Sequence, residues 1–315
     1  MTRLDVVSTA FVFPGQGSQV VGMGRELADA YPVARRTFEE ADQRLGFHLS
    51  QLMWEGPADE LNDTINTQPA LYLHSVAVWR VLLDLLPNLV PAWVAGHSLG
   101  ELSAMVAAGS LSFPAGLELV RTRGELMKRA GQIAPGGMAA VLGLDIPVLD
   151  KVCHEASTAQ EIVQVANDNC PGQVVISGAK EAVERAIEGA KAAGAKRAIP
   201  LAVSIAAHSP LMRSVQKEFE AAVEAAPIQD PSTPVISNVH AAPIRSAQSL
   251  RNDLTAQLTS RVRWTESVQF LLAQGVRSFV EVGSGNVLIG LIRRIDASAG
   301  GIPLGTPKDF DAITA

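Results

Sequence analysis

Several residue classes are scarce in this chain, and each shortage narrows what the protein can be. Its 315 residues include two cysteines, Cys153 and Cys170, which is too few for a disulfide framework and favours a reducing compartment. Aromatic residues make up 5% and charged residues 18% of the sequence, and the formal net charge is −6. Without a basic excess or a basic cluster, the composition gives no reason to expect binding to nucleic acid.

The sequence also lacks a hydrophobic run that could cross a membrane. Such a run takes about 20 consecutive apolar residues, whereas the longest apolar stretch, 76–94, is interrupted by Arg80, Asp84, Pro87 and Pro91. The first residues carry charges of both signs before a short apolar segment, which is not the pattern of a secretory signal peptide. We therefore expect a soluble, cytoplasmic protein that does not bind membranes.

What is present is an apolar content of 47% in a chain of 315 residues, which is enough for a large core. Apolar strand-like runs alternate with helical patterns, which predicts a mostly parallel sheet with helices on both faces. The strands are predicted at 9–13, 92–95, 234–237 and 279–282, and the helices at 23–45, 68–86, 100–108 and 114–131. The predicted fold class is α/β, with a large domain that is α/β-hydrolase-like.

The middle of the chain has a different order of elements. Strand and helix patterns follow one another as βαββαβ, the order of a ferredoxin-like fold. The second and third of these strands are separated by the polar segment 167–172, which predicts a turn. We expect this ferredoxin-like subdomain to occupy 133–203, inserted into a catalytic domain formed by 1–132 and 204–315.

The most informative motif is Gly96-His97-Ser98-Leu99-Gly100, which follows an apolar strand and precedes a helical pattern. A serine between glycines at a tight strand-to-helix turn is typical of a nucleophile elbow. The turn exposes the hydroxyl and leaves backbone N–H groups free at the helix N-terminus, where they can stabilise an oxyanion. The motif therefore predicts Ser98 as a nucleophile that attacks a carbonyl.

A serine nucleophile needs a base within hydrogen-bond reach, and six histidines are available. His97 adjoins the serine, but a neighbour on such a turn points its side chain away from the nucleophile. His208 lies between a strand-like run and a helix opened by Ser209 and Pro210, in the type of loop where catalytic side chains gather. His208 is therefore the strongest candidate, and His97 is a weaker alternative.

Two further features are ambiguous at the level of the residues. The glycine-rich segment 14–19 lacks the third glycine of a dinucleotide loop and the lysine of a P-loop, so we favour a loop that adds a backbone N–H to an oxyanion hole. Arg123 lies among apolar neighbours of a helical pattern, where a buried cation needs an anionic partner. Its spacing favours a salt bridge to a nearby glutamate over the binding of an anionic substrate.

Together these motifs resemble the malonyl-CoA:acyl carrier protein transacylases, the acyltransferases that load extender units for fatty acid synthesis. The resemblance extends from residue 13 to about residue 295. Besides the elbow with Glu101 and the segment 13–19, it rests on Arg123-Gly124, Asn169, 171–175, 208–212, 237–239, Gln257, Trp264 and 281–283. Each piece is modest alone, but the ordered set is specific.

The resemblance implies roles for individual residues. Ser98 is expected to be the nucleophile and His208 its general base. The backbone N–H groups of Gln16 and Leu99 are expected to form the oxyanion hole. Arg123 is expected to bind the free carboxylate of the malonyl group in a bidentate contact.

Four further positions match family residues. The histidine is expected to be oriented by a backbone carbonyl near Asn238, not by an acidic member of a triad. Gln257 matches an active-site glutamine, and Asn167 and Asn169 match positions on the small-subdomain loop that faces the cleft. The resemblance implies no metal and no bound cofactor. The substrates would be malonyl-CoA and the phosphopantetheine thiol of acyl carrier protein, and a monomer is expected.

Several alternatives stay open. A stand-alone acyltransferase of a polyketide synthase, or the acyltransferase subunit of malonate decarboxylase, would carry the same motifs. A serine esterase would share the elbow but would gain nothing from Arg123. The residue before the candidate base is Ala207, where many malonyl-selective relatives have phenylalanine or serine, so tolerance of methylmalonyl-CoA is a further hypothesis.

Overall fold

In the computed structural model, which describes residues 6–203 and 205–314, the chain forms two β-sheets surrounded by helices. The strands are β1 (Thr9–Phe13), β2 (Trp93–Gly96), β3 (Gly136–Leu142), β4 (Val163–Cys170), β5 (Gln173–Ala179), β6 (Arg197–Pro200), β7 (Val235–Ile236), β8 (Pro243–Ile244), β9 (Val262–Arg263), β10 (Ser278–Val282) and β11 (Gly300–Leu304). The helices are α1 (Arg25–Ala30), α2 (Pro32–Leu45), α3 (Leu49–Glu55), α4 (Ala58–Asn62), α5 (Thr64–Leu85), α6 (Gly100–Ala107), α7 (Phe113–Ile133), α8 (Ile146–Ala156), α9 (Lys180–Ala192), α10 (Arg213–Ala225), α11 (Ala247–Gln257), α12 (Trp264–Ala273), α13 (Val287–Ile295) and α14 (Asp311–Thr314). Short 3-10 helices occur at Val6–Ser8, Pro210–Met212 and Pro307–Phe310.

The larger sheet has the strand order β11-β10-β1-β2-β7-β8. Neighbouring strands are parallel except for β7 and β8, which are antiparallel. Strand β1 is buried along its whole length, because it pairs on both edges and helices cover both faces. Phe11 and Phe13 join the apolar cluster of α5 and α7, whereas Ala10 and Val12 join that of α12 and α13. The predicted α/β fold class is confirmed.

The smaller sheet has the strand order β6-β3-β5-β4-β9. Its first four strands follow one another with α8 and α9 as βαββαβ, and both helices pack on the strands in a separate apolar cluster. This is the ferredoxin-like arrangement expected from the sequence. The fifth strand, β9, comes from the later part of the chain and pairs in parallel with Asn167 and Asp168.

The boundaries of the two parts stay predictions. The expected small subdomain, 133–203, contains all the strands of the smaller sheet except β9. The flanking ranges 1–132 and 204–315 contain the larger sheet. Residues 1–5, Ser204 and the last residue lie outside the described residues.

The longest apolar stretch of the sequence begins in a core helix. Helix α5 is buried over most of its length and packs against α2 and α7. Burial on all sides explains an apolar pattern without a polar face. Within 6–203 and 205–314, none of the helices combines the length and the apolar character that crossing a bilayer requires.

The single helix predicted at 23–45 is wrong, because this segment forms two helices, α1 and α2. They are separated at Tyr31, whose backbone is extended with φ −125° and ψ 117°. Pro32 causes the break, since a proline disfavours the helical conformation at the residue before it. Pro32 itself is accommodated at the first position of α2, where no hydrogen bond from its nitrogen is needed.

The six-residue turn predicted at 167–172 is also wrong. Strand β4 continues to Cys170, and only Pro171 and Gly172 connect it to β5. The polar residues 167–170 stay in the strand because β4 pairs with β5 on one edge and with β9 on the other. This tertiary pairing outweighs the local preference of asparagine and aspartate for turns.

Candidate active site

The serine motif forms a sharp turn between β2 and α6. Ser98 has a φ of 51°, a left-handed conformation that is uncommon for a residue other than glycine. A Cβ atom on Gly96 would lie 1.9 Å from the carbonyl carbon of Gly100, and one on Gly100 would lie 2.0 Å from the carbonyl oxygen of Phe13. Both positions therefore require glycine. The close packing of the turn holds Ser98 in its strained backbone conformation at the end of the strand.

Ser98 and His208 are hydrogen-bonded partners although 110 positions separate them. The Oγ atom of Ser98 lies 2.8 Å from Nε2 of His208, and Nδ1 of His208 lies 2.8 Å from the backbone oxygen of Gln257. A carbonyl only accepts hydrogen bonds, so Nδ1 carries the proton and Nε2 is free to accept the serine hydroxyl. Burial, reinforced by the charge of Arg123, lowers the pKa of His208 to about 3. The imidazole is therefore neutral near pH 7, as a general base must be.

The expected role of Asn238 is wrong in detail. The carbonyl that orients His208 belongs to Gln257, on the last turn of α11, and not to the neighbourhood of Asn238. The Asn238 side chain instead accepts a hydrogen bond from the backbone N–H of Ser98 at 2.7 Å and donates one to the carbonyl of Gly96 at 2.7 Å. It thereby holds the turn from both sides, because a short amide side chain can satisfy a backbone donor and acceptor at once.

Arg123 is buried beside the nucleophile. Only 2% of it is exposed, and its Nη2 donates to Oγ of Ser98 at 3.1 Å and to Oε1 of Gln257 at 2.8 Å. Its Nη1 donates to Oε1 of Gln68 at 2.8 Å. Burial lowers the pKa of Arg123 to about 10, and the charge of Glu101 opposes the shift, so the guanidinium stays protonated at neutral pH.

The salt bridge to a nearby glutamate that the spacing favoured is not formed. Among the residues in 6–203 and 205–314, the direct partners of the Arg123 side chain are two amide oxygens and one hydroxyl, and its Nε has no partner. A buried cation whose direct partners are all neutral, and which Glu101 affects without forming a salt bridge, is only partly compensated. The site therefore favours an anionic group on the substrate.

The two residues expected to form the oxyanion hole lie on adjoining segments. Leu99 directly precedes the first turn of α6, and Gln16 lies on the loop that leaves β1. That loop is pressed against the elbow, because a Cβ on Gly15 would lie 2.4 Å from the carbonyl oxygen of His97. The Gln16 side chain accepts a hydrogen bond from Oγ1 of Thr64 at 2.8 Å, which anchors the loop to α5. The oxyanion role of both N–H groups stays a prediction.

The asparagines of β4 lie beyond the nucleophile's own contacts. Nε2 of His97 is 2.8 Å from Oδ1 of Asn169, and the His97 ring packs edge-on against Trp264 at 5.6 Å. His97 thus points away from Ser98, as expected for a neighbour on the turn, and ties the elbow to the smaller sheet. Asn167 is paired with Val262 in the same sheet and is 6% exposed. Contacts with substrate at Asn167 and Asn169 stay predictions.

Sequence reasoning missed three polar residues that support the site. Gln68 on α5 holds Arg123. Gln164 on β4 donates to the backbone oxygens of His208 and Thr259 at 2.8 and 3.1 Å, so a strand of the smaller sheet supports the loop of the base. Asp253 on α11 is 3% exposed and accepts a hydrogen bond from Oγ of Ser237, the residue before Asn238. Gln68 and Gln164 lie among ordinary core positions, and nothing in their local pattern marks them.

The geometry defines an α/β protein whose paired serine and histidine, next to a buried cation, suit the transfer of an acyl group that carries a negative charge. A family model described as acyl transferase domain matches residues 10–299. The chain belongs to this family, among the malonyl CoA-acyl carrier protein transacylases, and it is an acyltransferase.

Two similar proteins and one complex document the relationship. A malonyl CoA-acyl carrier protein transacylase of Bacillus subtilis is 45% identical over 302 residues, which cover 96% of this chain and 95% of the relative. The crystal structure of an acyl carrier protein S-malonyltransferase from Vibrio cholerae superimposes with a TM-score of 0.93 at 44% identity, covering 97% of this chain and 99% of that one. A malonyl-transacylase solved in complex with a type II polyketide synthase acyl-carrier protein gives a TM-score of 0.93 at 44% identity, covering 98% and 99%.

Proposed function

We propose that this acyltransferase moves the malonyl group from malonyl-CoA to the phosphopantetheine thiol of an acyl carrier protein through a malonyl ester on Ser98. The observation that carries the proposal is the position of Arg123. Its guanidinium lies 3.1 Å from the Ser98 hydroxyl and is held by neutral oxygens. A carboxylate two bonds beyond the reacting carbonyl carbon would find a bidentate partner there.

In the first half-reaction, Oγ of Ser98 attacks the thioester carbonyl while Nε2 of His208 takes the hydroxyl proton. The support for these roles is the 2.8 Å contact between the two atoms and the hydrogen bond of Nδ1 to the Gln257 carbonyl, which leaves Nε2 free to accept a proton. The tetrahedral oxyanion would be stabilised by the N–H groups of Gln16 and Leu99, and loss of one such donor typically costs about 10²–10³ in rate. The C–S bond then breaks, and the thiolate of CoA takes the proton from His208.

The second half-reaction reverses these steps with a different thiol. The phosphopantetheine thiol gives its proton to His208 and attacks the malonyl ester. The Ser98 oxygen leaves and recovers the proton, so the enzyme returns to its starting state. These steps are carried by the chain's own residues and by the two substrates, with no bound cofactor in the proposal.

The setting of the reaction is also proposed. The acyl carrier protein as partner is supported by the name of the relatives and by the complex of the polyketide synthase malonyl-transacylase. A cytoplasmic monomer that serves fatty acid synthesis is the simplest setting for such an enzyme. The same chemistry serving a polyketide synthase is the second candidate, and the complexed relative is the observation that favours it.

The test is intact-protein mass spectrometry after brief incubation with malonyl-CoA, methylmalonyl-CoA or acetyl-CoA, with Ser98→Ala as the control. A malonyl adduct on the wild type that is lost in the variant, and that disappears when holo-acyl carrier protein is added, supports the proposal. An ester that is hydrolysed but never passed to the carrier protein would support an esterase instead. Absence of any adduct would overturn the assignment of Ser98.

A further inference from the structure

Two buried carboxyl groups lie behind the candidate active site and have no part in the reaction described above. Glu101 is in the first turn of α6 and is 1% exposed, and Asp253 on α11 is 3% exposed. One oxygen of Glu101, Oε2, accepts a hydrogen bond from Nε2 of Gln257, and one oxygen of Asp253, Oδ1, accepts one from Oγ of Ser237. Among the residues in 6–203 and 205–314, Oε1 of Glu101 and Oδ2 of Asp253 have no hydrogen-bond partner.

The two carboxyl groups are close enough to influence each other's ionisation, and two negative charges side by side in the interior would repel each other. Burial raises the pKa of Glu101 well above its ordinary value, and the charge of Asp253 raises it further. Burial also raises the pKa of Asp253, while the neighbouring Glu101, the hydrogen bond from Ser237 and the charge of His240 oppose that shift. Both effects favour a pair that retains one proton between its two carboxyl groups.

The pair controls which way the amide of Gln257 faces. Its Nε2 donates to Glu101 and, at 3.1 Å, to the backbone oxygen of Ser98, so its Oε1 must face the guanidinium of Arg123, 2.8 Å away. The backbone oxygen of the same residue accepts the Nδ1–H of His208. Gln257 thus contacts the nucleophile, the base and the cation.

We propose that the Glu101–Asp253 pair is a positioning element for malonyl selectivity: it fixes the Gln257 amide, which in turn holds Arg123 where the substrate carboxylate binds. This inference rests on the proposed function. Without an acceptor at position 101, only the longer hydrogen bond to the backbone oxygen of Ser98 opposes a turn of the NH₂ group toward Arg123. Two donors would then face each other, and the guanidinium would lose both a partner and its orientation.

The matched variants are Glu101→Gln and Glu101→Met, which have similar volumes and differ in hydrogen bonding. A glutamine reproduces the protonated glutamate, because its NH₂ group donates to Asp253 and its oxygen accepts from Gln257. Methionine removes the acceptor. Glu118→Ala is the control, since Glu118 lies on the same helix as Arg123 and forms an exposed pair with Arg44.

The readout is the ratio of kcat/KM for malonyl-CoA to that for acetyl-CoA, because a purely structural role would lower both together. Glu101→Met should lower this ratio about 10–100-fold, the size of effect that follows a misplacement of about 1 Å. Glu101→Gln should change the malonyl-to-acetyl ratio by about threefold or less, which is a smaller effect than the loss of a typical hydrogen bond. An unchanged ratio in Glu101→Met, or an equal loss in both variants, would overturn the proposal.

A third variant tests the shared proton and does not depend on the folding of Glu101→Met. Asp253→Asn supplies a permanent donor to Glu101 and removes the neighbouring charge, so Glu101 still accepts from Gln257 in either protonation state. The malonyl-to-acetyl ratio should therefore stay within about threefold of the wild type. A loss of about 10-fold or more would contradict a pair that holds a single proton. If the wild type fails to load malonyl at all, the proposed function fails instead, so the two failures are distinguishable.

Discussion

The Nη2 atom of Arg123 lies 3.1 Å from Oγ of Ser98, so a fully buried cation donates a hydrogen bond to the hydroxyl that the base must deprotonate. The contact has two consequences. A positive charge at this distance favours the developing alkoxide of the serine. It also opposes protonation of His208, whose pKa it helps to lower. Once a malonyl carboxylate binds to the guanidinium, part of this charge is neutralised by the substrate.

Arg123→Ala should therefore discriminate between acyl groups. We expect malonyl transfer to fall by about 10²-fold or more, since removing the partner of a desolvated charge typically costs about 2–5 kcal/mol. Acetyl transfer should fall much less, because the acetyl group has no carboxylate. The measurement is kcat/KM for both CoA esters.

The matched control is Arg121→Ala on the same helix, where the arginine pairs with the exposed Glu125. This variant should leave the preference for malonyl unchanged. A full retention of malonyl preference in Arg123→Ala would show that the carboxylate binds elsewhere.

The elbow glycines give a prediction about stability. Gly100→Ala would place a Cβ atom 2.0 Å from the carbonyl oxygen of Phe13 and 2.9 Å from that of Pro14. Backbone atoms of a buried strand cannot give way easily, so we expect a loss of at least about 1–3 kcal/mol in the free energy of unfolding. Thermal unfolding measures this loss.

Gly290→Ala is the comparison for this substitution. Gly290 lies on the exposed side of α13, and an added Cβ would meet no atom within 4 Å. This change should raise stability by about 0.5–1 kcal/mol, because alanine favours a helix over glycine. Equal stability of the two variants would mean that the turn between β2 and α6 is looser than described.

Much of this site is readable from the chain, for physical reasons that differ from residue to residue. Strand β1 was predicted with its observed bounds, because an apolar run stopped by Pro14 and Gly15 leaves little freedom. The elbow is readable since its glycines are sterically required. Pro32 also indicates the break at Tyr31. The prediction missed this break because the helical pattern continues on both sides of the proline.

Other parts could not be predicted because they depend on contacts between distant segments. The group that orients His208 is the backbone carbonyl of Gln257, and every residue of the chain carries an identical group. The pairing of β9 with Asn167 and Asp168 joins segments about 95 positions apart. Local propensity carries no information on either, so only the folded chain reveals them.

The pH dependence of the first half-reaction follows from the base. His208 is active when neutral, and its pKa is lowered from the ordinary 6.5 to about 3. The rate of malonyl loading in single-turnover experiments should therefore stay level from pH 8 down to about pH 5. A rate that halves near pH 6.5 would contradict a fully buried base.

Stability must be measured alongside, because the same shifts act on folding. His74 is also buried, and its pKa is lowered to about 4. A histidine whose pKa is lower in the folded protein than in the unfolded chain binds protons more readily when the chain is unfolded. Below about pH 6.5, protonation therefore favours the unfolded state. The stability that both histidines contribute is thus full above pH 6.5 and is lost as the pH falls toward their folded pKa values. Thermal unfolding at each pH separates this loss from a change in catalysis.

Ala207 precedes the base and is half-buried against the core, and its small side chain is the basis for expecting that a branched acyl group is accepted. We expect the wild type to form a methylmalonyl adduct on Ser98 in addition to the malonyl adduct. Ala207→Phe should reduce methylmalonyl loading more than malonyl loading, because a bulky side chain beside His208 removes the space for an α-methyl branch. One methyl group is worth about 10–200-fold in such discrimination. Malonyl loading by the same variant is the internal control, and equal reduction of both adducts would mean that the phenylalanine displaces the base rather than narrowing the pocket.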